Sequence, residues 1–201
     1  MKEIAPKLWI GSQSDFEELD PFGTEWAIVH ACKEPHHRQA LGYTGRAAPK
    51  EHPEYLFAKR GKRLILNLID ADDPKYVPKD VIDAAVGHIR DSIKAGEFVL
   101  CHCNQGASRS PTIGLLYLAP EMPEDFEQAE AKFRDLYPAY APAEGMRKFA
   151  REHWQAYRTR AEPKAPERDR LDVISDRLDA IEALLAKIEL EFATRKSNVQ
   201  S

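Results

Sequence analysis

His102-Cys103-Asn104-Gln105-Gly106-Ala107-Ser108-Arg109-Ser110 lies near the middle of this 201-residue chain, and we name it the anion loop. The apolar run Phe98–Leu100 precedes it, and a helical pattern at Thr112–Leu118 follows it. A strand that leads through a tight loop into a helix N-terminus forms an anion site, because loop amides and the helix dipole favour negative charge. The sequence therefore predicts an α/β fold with this loop at the carboxyl end of a central strand.

Two side chains give the anion loop its chemistry. A bound phosphate would lie above the thiol of Cys103, and the planar guanidinium of Arg109 would bind two of its oxygens. The loop amides and the charge of Arg109 lower the pKa of the thiol, which favours a nucleophilic thiolate at neutral pH. The alternative, in which Cys103 is only a small buried apolar side chain, leaves Gly106 and Ser110 unexplained.

The anion loop resembles the signature of the cysteine-dependent protein tyrosine phosphatases, and of their dual-specificity branch in particular. Ile4–Gly11 resembles the opening strand of that fold, and Leu66–Asp70 resembles the strand that ends in its general-acid loop. The resemblance covers roughly residues 1 to 158. It implies a central, mainly parallel sheet flanked by helices, and a two-step hydrolysis through a cysteinyl phosphate that needs no metal.

The resemblance also implies a role for each residue of the loop. Cys103 would be the nucleophile, Arg109 would bind the phosphoryl oxygens in the ground and transition states, and Ser110 would donate a hydrogen bond to the sulfur. His102 would orient the loop from behind. The loop residues expected to bind the phosphoryl group are Asn104, Gln105, Gly106, Ala107, Ser108 and Arg109.

A carboxylic acid must protonate the leaving oxygen, and three aspartates lie at the end of one predicted strand. Asp70 directly follows the run Leu64–Ile69, as the family's acid follows its strand, so we predict Asp70 as the general acid. Asp72 is the alternative. An Asp-Asp-Pro turn at Asp73 is also an ordinary way to leave a strand.

The predicted substrate is a phosphorylated protein. Gln105 and Ala107 are neutral, whereas inositol-lipid members of the resembled family carry lysines inside the loop. We therefore predict hydrolysis of phosphotyrosine, with phosphoserine and phosphothreonine as further candidates. The alternative function is a catalytically weak phosphate-binding module that oligomerises through its C-terminal helix.

Composition and charge restrict the partners and the cellular location that we expect for this protein. A net charge of −4 and a pI near 6.0 argue against a nucleic-acid partner. The chain has no apolar run long enough to cross a membrane, and its start lacks the apolar stretch of a secretory signal. Three cysteines form a sparse, odd set that fits a reducing compartment. We predict a cytoplasmic protein.

Histidines and a cysteine around residue 30 raise the question of zinc. His30 and Cys32 end an apolar run, and the adjacent pair His36 and His37 does not have the usual spacing of ligands. We therefore predict no metal and no cofactor.

Hydrophobic periodicity predicts the remaining elements. Short apolar runs predict strands at Leu8–Ile10, Trp26–His30, Leu64–Ile69 and Phe98–His102. Apolar positions at helical spacing predict helices at Ile82–Ile93, Glu124–Leu136 and Glu144–Tyr157. Residues 33–63 show no clear period and a basic excess, so this segment is either a basic rim that attracts phosphorylated substrates or a solvated surface loop.

The sequence predicts three parts. Residues 1–160 form the phosphatase-like domain, residues 161–170 form a proline-containing linker, and residues 171–196 form a separate helix. Apolar residues of this helix recur at alternating gaps of 3 and 4 over 171–192, which is a heptad seam. We expect a homo-oligomer through that seam, with folding of the helix onto its own domain as the alternative.

Overall fold

A six-stranded sheet forms the centre of the computed structural model, which describes residues 1–19 and 26–159. The strands are β1 (Lys2–Ala5), β2 (Leu8–Gly11), β3 (Trp26–His30), β4 (Phe57–Arg60), β5 (Arg63–Leu66) and β6 (Phe98–His102). Their order in the sheet is β1-β2-β6-β3-β5-β4. The four inner strands are parallel and the two outer ones are antiparallel, so the predicted mainly parallel sheet is confirmed.

Burial explains why the inner strands have this arrangement. β6 lies between β2 and β3, and four of its five residues are buried. A strand covered on both faces is a continuous apolar run, which is typical of a parallel sheet between helices. The register pairs His30 with His102, so both strands end at the same edge of the sheet. The anion loop begins at that edge.

Six α-helices lie in the described ranges, and the last four of them were predicted with small errors at their ends. They are α1 (Gln13–Glu18), α2 (Arg38–Leu41), α3 (Lys79–Lys94), α4 (Arg109–Tyr117), α5 (Phe126–Leu136) and α6 (Glu144–Arg158). The crossover from β5 to β6 runs through α3, whose predicted apolar face is buried from Ile82 to Ile89 and half-buried at Ile93. The predicted stripe of α6 is also buried; it consists of Met146, Phe149, Ala150, Trp154 and Tyr157.

Three local features differ from the sequence-based expectation. The short helix α1 has no apolar stripe, and its formation depends on a capping box in which Ser12 and Asp15 exchange hydrogen bonds. Residues 33–63 hold α2 and β4, and β4 joins β5 in a hairpin that turns at Gly61, where φ is +57°. The strand predicted to reach Ile69 ends at Leu66, because Leu68 and Ile69 leave the ladder toward the anion loop.

The predicted linker and C-terminal helix, residues 161–196, lie outside the described residues, as does the expected oligomer seam. Among the helices of the described ranges, none is both long and apolar enough to cross a membrane.

Candidate active site

Cys103 lies at the floor of the anion loop, where β6 ends. Its side chain is buried, and its amide donates a hydrogen bond to the carbonyl of Gly11 across 3.3 Å. The hydroxyl of Ser110, in the first turn of α4, lies 3.3 Å from the sulfur. The loop therefore folds back so that residues seven positions apart meet at the thiol.

The surroundings of Cys103 favour a thiolate. Burial alone would raise the pKa of this thiol, but hydrogen bonds from Ser110 and the backbone of Gly106, together with the charge of Arg109, bring it below its ordinary value. Cys32 shows the contrast, because burial raises the pKa of its thiol to about 12. Burial likewise raises the pKa of Cys101. Of three buried cysteines, the one in the anion loop is the nucleophile candidate.

Arg109 is held in place from two sides at the N-terminus of α4. Its Nη2 donates to the side-chain oxygen of Asn104 across 2.7 Å, and its Nη1 lies 3.4 Å from the carbonyl oxygen of Leu68. Its Nε is buried and makes no hydrogen bond with any described residue; the nearest carboxylate oxygen, on Asp70, is 3.8 Å away. With the guanidinium held in this way, the N–H at Nε of Arg109 is available to donate to an oxyanion.

Contacts from distant parts of the chain support the loop. Gly106 has φ of +72°, and a Cβ there would lie 3.0 Å from the backbone of Gly11, so only glycine fits. The hydroxyl of Tyr137 donates to the carbonyl of Gly106 across 2.9 Å, and the amide of Ala141 donates to Ala107 across 2.8 Å. No pattern in the sequence identifies Tyr137 and Ala141 as supports, because both contacts form only in the folded chain.

Ser108 connects the loop to the predicted acid segment. Its hydroxyl donates to Asp70 across 2.6 Å and accepts from the amide of Ala143 across 2.9 Å. Its carbonyl accepts a hydrogen bond from the hydroxyl of Thr112 across 2.7 Å. Ser108 is thus a buried structural link as well as a member of the predicted phosphoryl-binding set.

The three aspartates of the acid segment have different surroundings. The carboxylate of Asp70 is engaged with Ser108 and faces Arg109. Asp72 is exposed, and its carboxylate makes no hydrogen bond or ion pair with the described part of the chain. Asp73 caps the short turn Pro74–Tyr76 by accepting from the amide of Lys75. The segment docks on the start of α6, where the amide of Gly145 donates to the carbonyl of Ala71.

The remaining loop residues lie at the mouth of the site. Gln105 is exposed, and Ala107 is half-buried. Asn104 is exposed as well, and its side-chain nitrogen Nδ2 donates to the carbonyl of Glu34 across 3.0 Å. Asn104 therefore links Arg109 to the first turn of the basic segment 33–63.

The basic excess of residues 33–63 is partly neutralised within the segment itself. Arg38 pairs with Glu34 across 2.7 Å, and Arg60 pairs with Glu54 across 2.6 Å. These side chains are therefore engaged with carboxylates, which weakens the attraction that a basic rim would exert on a phosphorylated substrate.

Histidines gather behind the loop, but not in the set that the sequence suggested. His30 Nδ1 lies 2.7 Å from His102 Nε2, and the ring of His36 stacks on that of His30. Burial lowers the pKa of His36 to about 4 and that of His102 to about 3, and it also lowers the pKa of His30. His37 instead lies 3.0 Å from the carbonyl of Glu54.

Comparison with known proteins gives one clear result. No family model and no curated protein matches the sequence. The crystal structure of DUSP15 superposes with a TM-score of 0.54, covering 79% of this chain and 90% of that one at 20% identity. The human tyrosine phosphatase-like serine/threonine/tyrosine-interacting protein gives 0.53, covering 78% and 97% at 22% identity. This chain has the dual-specificity phosphatase fold.

PTPMT1 in complex with PI(5)P has the same architecture, with a TM-score of 0.52 over 80% of this chain and 97% of that one at 16% identity. The dual-specificity phosphatase fold thus extends over nearly the whole of each of these neighbours. Within this fold, Cys103 directly follows β6, and Arg109 and Ser110 open α4, so the three residues meet where the strand leads into the helix. The resemblance in fold is confirmed.

Proposed function

We propose that the protein hydrolyses phosphate monoesters of phosphoproteins, phosphotyrosine foremost, through a cysteinyl phosphate. The observation that carries the proposal is the geometry at one sulfur: Ser110 donates to it across 3.3 Å, and the charge of Arg109 helps to lower its pKa. The buried Nε of Arg109 adds a donor for the phosphoryl oxygens. An acceptor sulfur beside a fixed guanidinium is suited to phosphoryl transfer.

The proposed reaction has two steps. The thiolate of Cys103 attacks phosphorus, the bond from phosphorus to the ester oxygen breaks, and a carboxylic acid gives its proton to that oxygen. A water molecule then attacks the phosphorus of the cysteinyl phosphate, the resulting carboxylate takes the proton of the water, and the sulfur leaves as a thiolate. Ser110 stabilises the departing sulfur through its hydrogen bond.

For the proton donor, the structure favours Asp72 over our first candidate, Asp70. The carboxylate of Asp70 accepts a hydrogen bond from Ser108 and faces Arg109, which suits a residue that positions the guanidinium. A general acid must instead present a proton to the substrate. Asp72 is exposed on the same segment, with its carboxylate unengaged by the described residues. Asp70 remains the competing candidate, and a pair of variants distinguishes the two.

The neutral side chains at the mouth favour a phosphoprotein. Gln105 and Ala107 add no positive charge to the loop. A substrate with several phosphates needs several cations, whereas a single phosphomonoester is matched by Arg109 and the loop amides.

Turnover of radiolabelled substrate tests the proposal. We expect the full chain to hydrolyse a ³²P-phosphotyrosine peptide in the presence of EDTA, and acid quenching to recover label on Cys103. Cys103→Ser should bind the peptide without turnover or label. If the unaltered chain binds the peptide but neither turns it over nor takes up label, the alternative function as a phosphate-binding module is correct.

A further inference from the structure

Three imidazoles from three separate segments converge behind the anion loop. His30 ends β3, His102 ends β6, and His36 lies in the turn between β3 and α2. One ring nitrogen from each lies within 4.8 Å of the others. The parallel register of β3 and β6 creates this cluster, because it sets His30 beside His102.

We propose that His30, His36 and His102 form a binding site for one divalent transition-metal ion of the Zn²⁺ class. Nitrogen ligands of tetrahedral zinc lie at 2.0–2.1 Å from the ion, which places them about 3.4 Å from each other. The separations here, from 2.7 Å for one pair to a limit of 4.8 Å, bracket that value. Imidazole ligands suit Zn²⁺, Co²⁺ and Cu²⁺ rather than Mg²⁺ or Ca²⁺.

Ring orientations show what must move on binding. The ring of His102 is nearly perpendicular to those of His30 and His36, at 83° and 87°. Imidazole rings that bind one ion can have such angles between them. His30 and His36 stack at 3.9 Å and must open. The ion replaces the proton that His30 and His102 share, and that proton leaves to solvent.

Phe16, the backbone of Cys103 and Gln13 border the cluster. The ring of Phe16 stacks on that of His102 at 4.8 Å and walls off one side. His102 Nδ1 is buried without a well-formed hydrogen bond among the described residues, although the backbone of Cys103 lies near it. The side-chain oxygen of Gln13 lies 2.8 Å from His36 Nε2, which makes it an outer partner for the one half-exposed imidazole of the cluster.

Nearby charges moderate the affinity of the site. Arg63 acts on both His30 and His36 as a neighbouring positive charge, and Glu17 acts on His36 as a negative one. Asp15 acts on His102 as a second negative charge. Of these two carboxylates neither is buried, so among the described residues no buried carboxylate neutralises the ion, and we expect reversible binding rather than a permanent structural metal.

His102 connects the proposed metal site to the start of the anion loop. This residue directly precedes Cys103, and its carbonyl accepts a hydrogen bond from the amide of Ala31 across 2.8 Å. An ion held by His102 would therefore be attached to the end of the strand from which the anion loop begins.

Cobalt titration of the full-length Cys103→Ser protein tests the site, because this variant removes the thiolate as a competing ligand. We expect saturable binding of one Co²⁺ per chain, with visible absorption of imidazole-bound tetrahedral cobalt and no sulfur charge-transfer band. His36→Ala in the same background should weaken binding at least about tenfold. His153→Ala removes a half-buried histidine outside the cluster and should leave it unchanged.

His36→Gln and far-ultraviolet circular dichroism confirm that any loss does not result from unfolding. Binding that disappears in Cys103→Ser would show that the thiolate holds the metal and would overturn the proposal. Equal affinity in the His36 variants and their parent would overturn it too. Both results are independent of catalysis, so they leave the proposed hydrolysis to its own test.

Discussion

The hydroxyl of Ser110 lies 3.3 Å from the sulfur of Cys103. The same oxygen is 3.2 Å from the carbonyl oxygen of Gly11, and its single proton can be donated to only one of them. A thiolate is a stronger acceptor than a neutral carbonyl. We therefore expect Ser110 to donate to Gly11 when the sulfur is protonated, and to the sulfur when it is an anion.

Ser110→Ala should raise the pKa of Cys103, because a hydrogen bond that lowers it is lost. The pH at which iodoacetamide alkylation reaches half its maximal rate reports this pKa, and it should move upward. Turnover at neutral pH should fall by about 10- to 100-fold. Ser110→Thr keeps the hydroxyl and should restore most of both values. An unchanged alkylation profile in Ser110→Ala would exclude this role.

Asp72→Asn should lower turnover of a phosphotyrosine peptide by about 100-fold or more, since the leaving oxygen loses its proton donor. Turnover of p-nitrophenyl phosphate should fall much less, because p-nitrophenolate leaves without a proton. Asp70→Asn should affect both substrates alike, mainly through KM. The opposite pattern would identify Asp70 as the acid.

Arg109→Lys should lower kcat/KM by about 1000-fold, because a lysine cannot offer two parallel donors to the phosphoryl oxygens. Inhibition by vanadate should weaken in parallel. A lysine that supported vanadate binding at full strength would mean that charge alone, rather than the fork of the guanidinium, binds the anion.

Gly106→Ala should destabilise the fold and abolish turnover. Its φ of +72° adds about 1–2 kcal/mol of backbone strain, and a Cβ 3.0 Å from Gly11 adds about 1–3 kcal/mol of overpacking. Gly61→Ala is the matched control, since Gly61 has φ of +57° but no atom within 4 Å of its Cβ position. In urea unfolding, Gly61→Ala should lose only the 1–2 kcal/mol of backbone strain from its free energy of unfolding, roughly the cost of a positive φ, and should retain turnover. If both variants lose the same free energy of unfolding, the contact with Gly11 does not contribute to the effect.

Gly145→Ala should displace the acid segment, because its Cβ would lie 2.3 Å from the carbonyl oxygen of Ala71. Peptide turnover should drop while the inhibition constant for vanadate changes little. Gly87→Ala, in α3 with nothing within 4 Å, should instead stabilise the protein by about 1 kcal/mol. A large loss of vanadate binding in Gly145→Ala would show that α6 supports the anion loop directly.

Local patterns predicted much of the fold. The stripe from Met146 to Tyr157 and the apolar run Phe98–His102 are strong periodic signals, and both elements form as expected. The strand β4 was missed because Phe57–Arg60 is an edge strand with two exposed basic residues. Such a strand is defined by its partner, which the sequence around it does not reveal.

The candidate site also has a part that the local sequence predicts and a part that only the folded chain shows. Cys103, Arg109 and Ser110 lie within one short loop, so their association follows from the sequence alone. The support from Tyr137 and the group of His30 with His102 depend on tertiary contacts and strand register. The question of zinc arose for His30, Cys32, His36 and His37, whereas the folded chain groups His30 and His36 with His102, because spacing along the chain cannot show which strands are neighbours.

The anion loop receives its supports from both ends of the domain: Gly11 and Gln13 on one side, and Tyr137 and Ala141 on the other. During synthesis, a chain that has just passed Ser110 already contains the cysteine and the arginine. It lacks the later residues that hold the loop open, so its thiol behaves like any other. The proposed reactivity of Cys103 toward phosphate monoesters therefore depends on the assembled domain, and a copy that ends before Tyr137 should lack it.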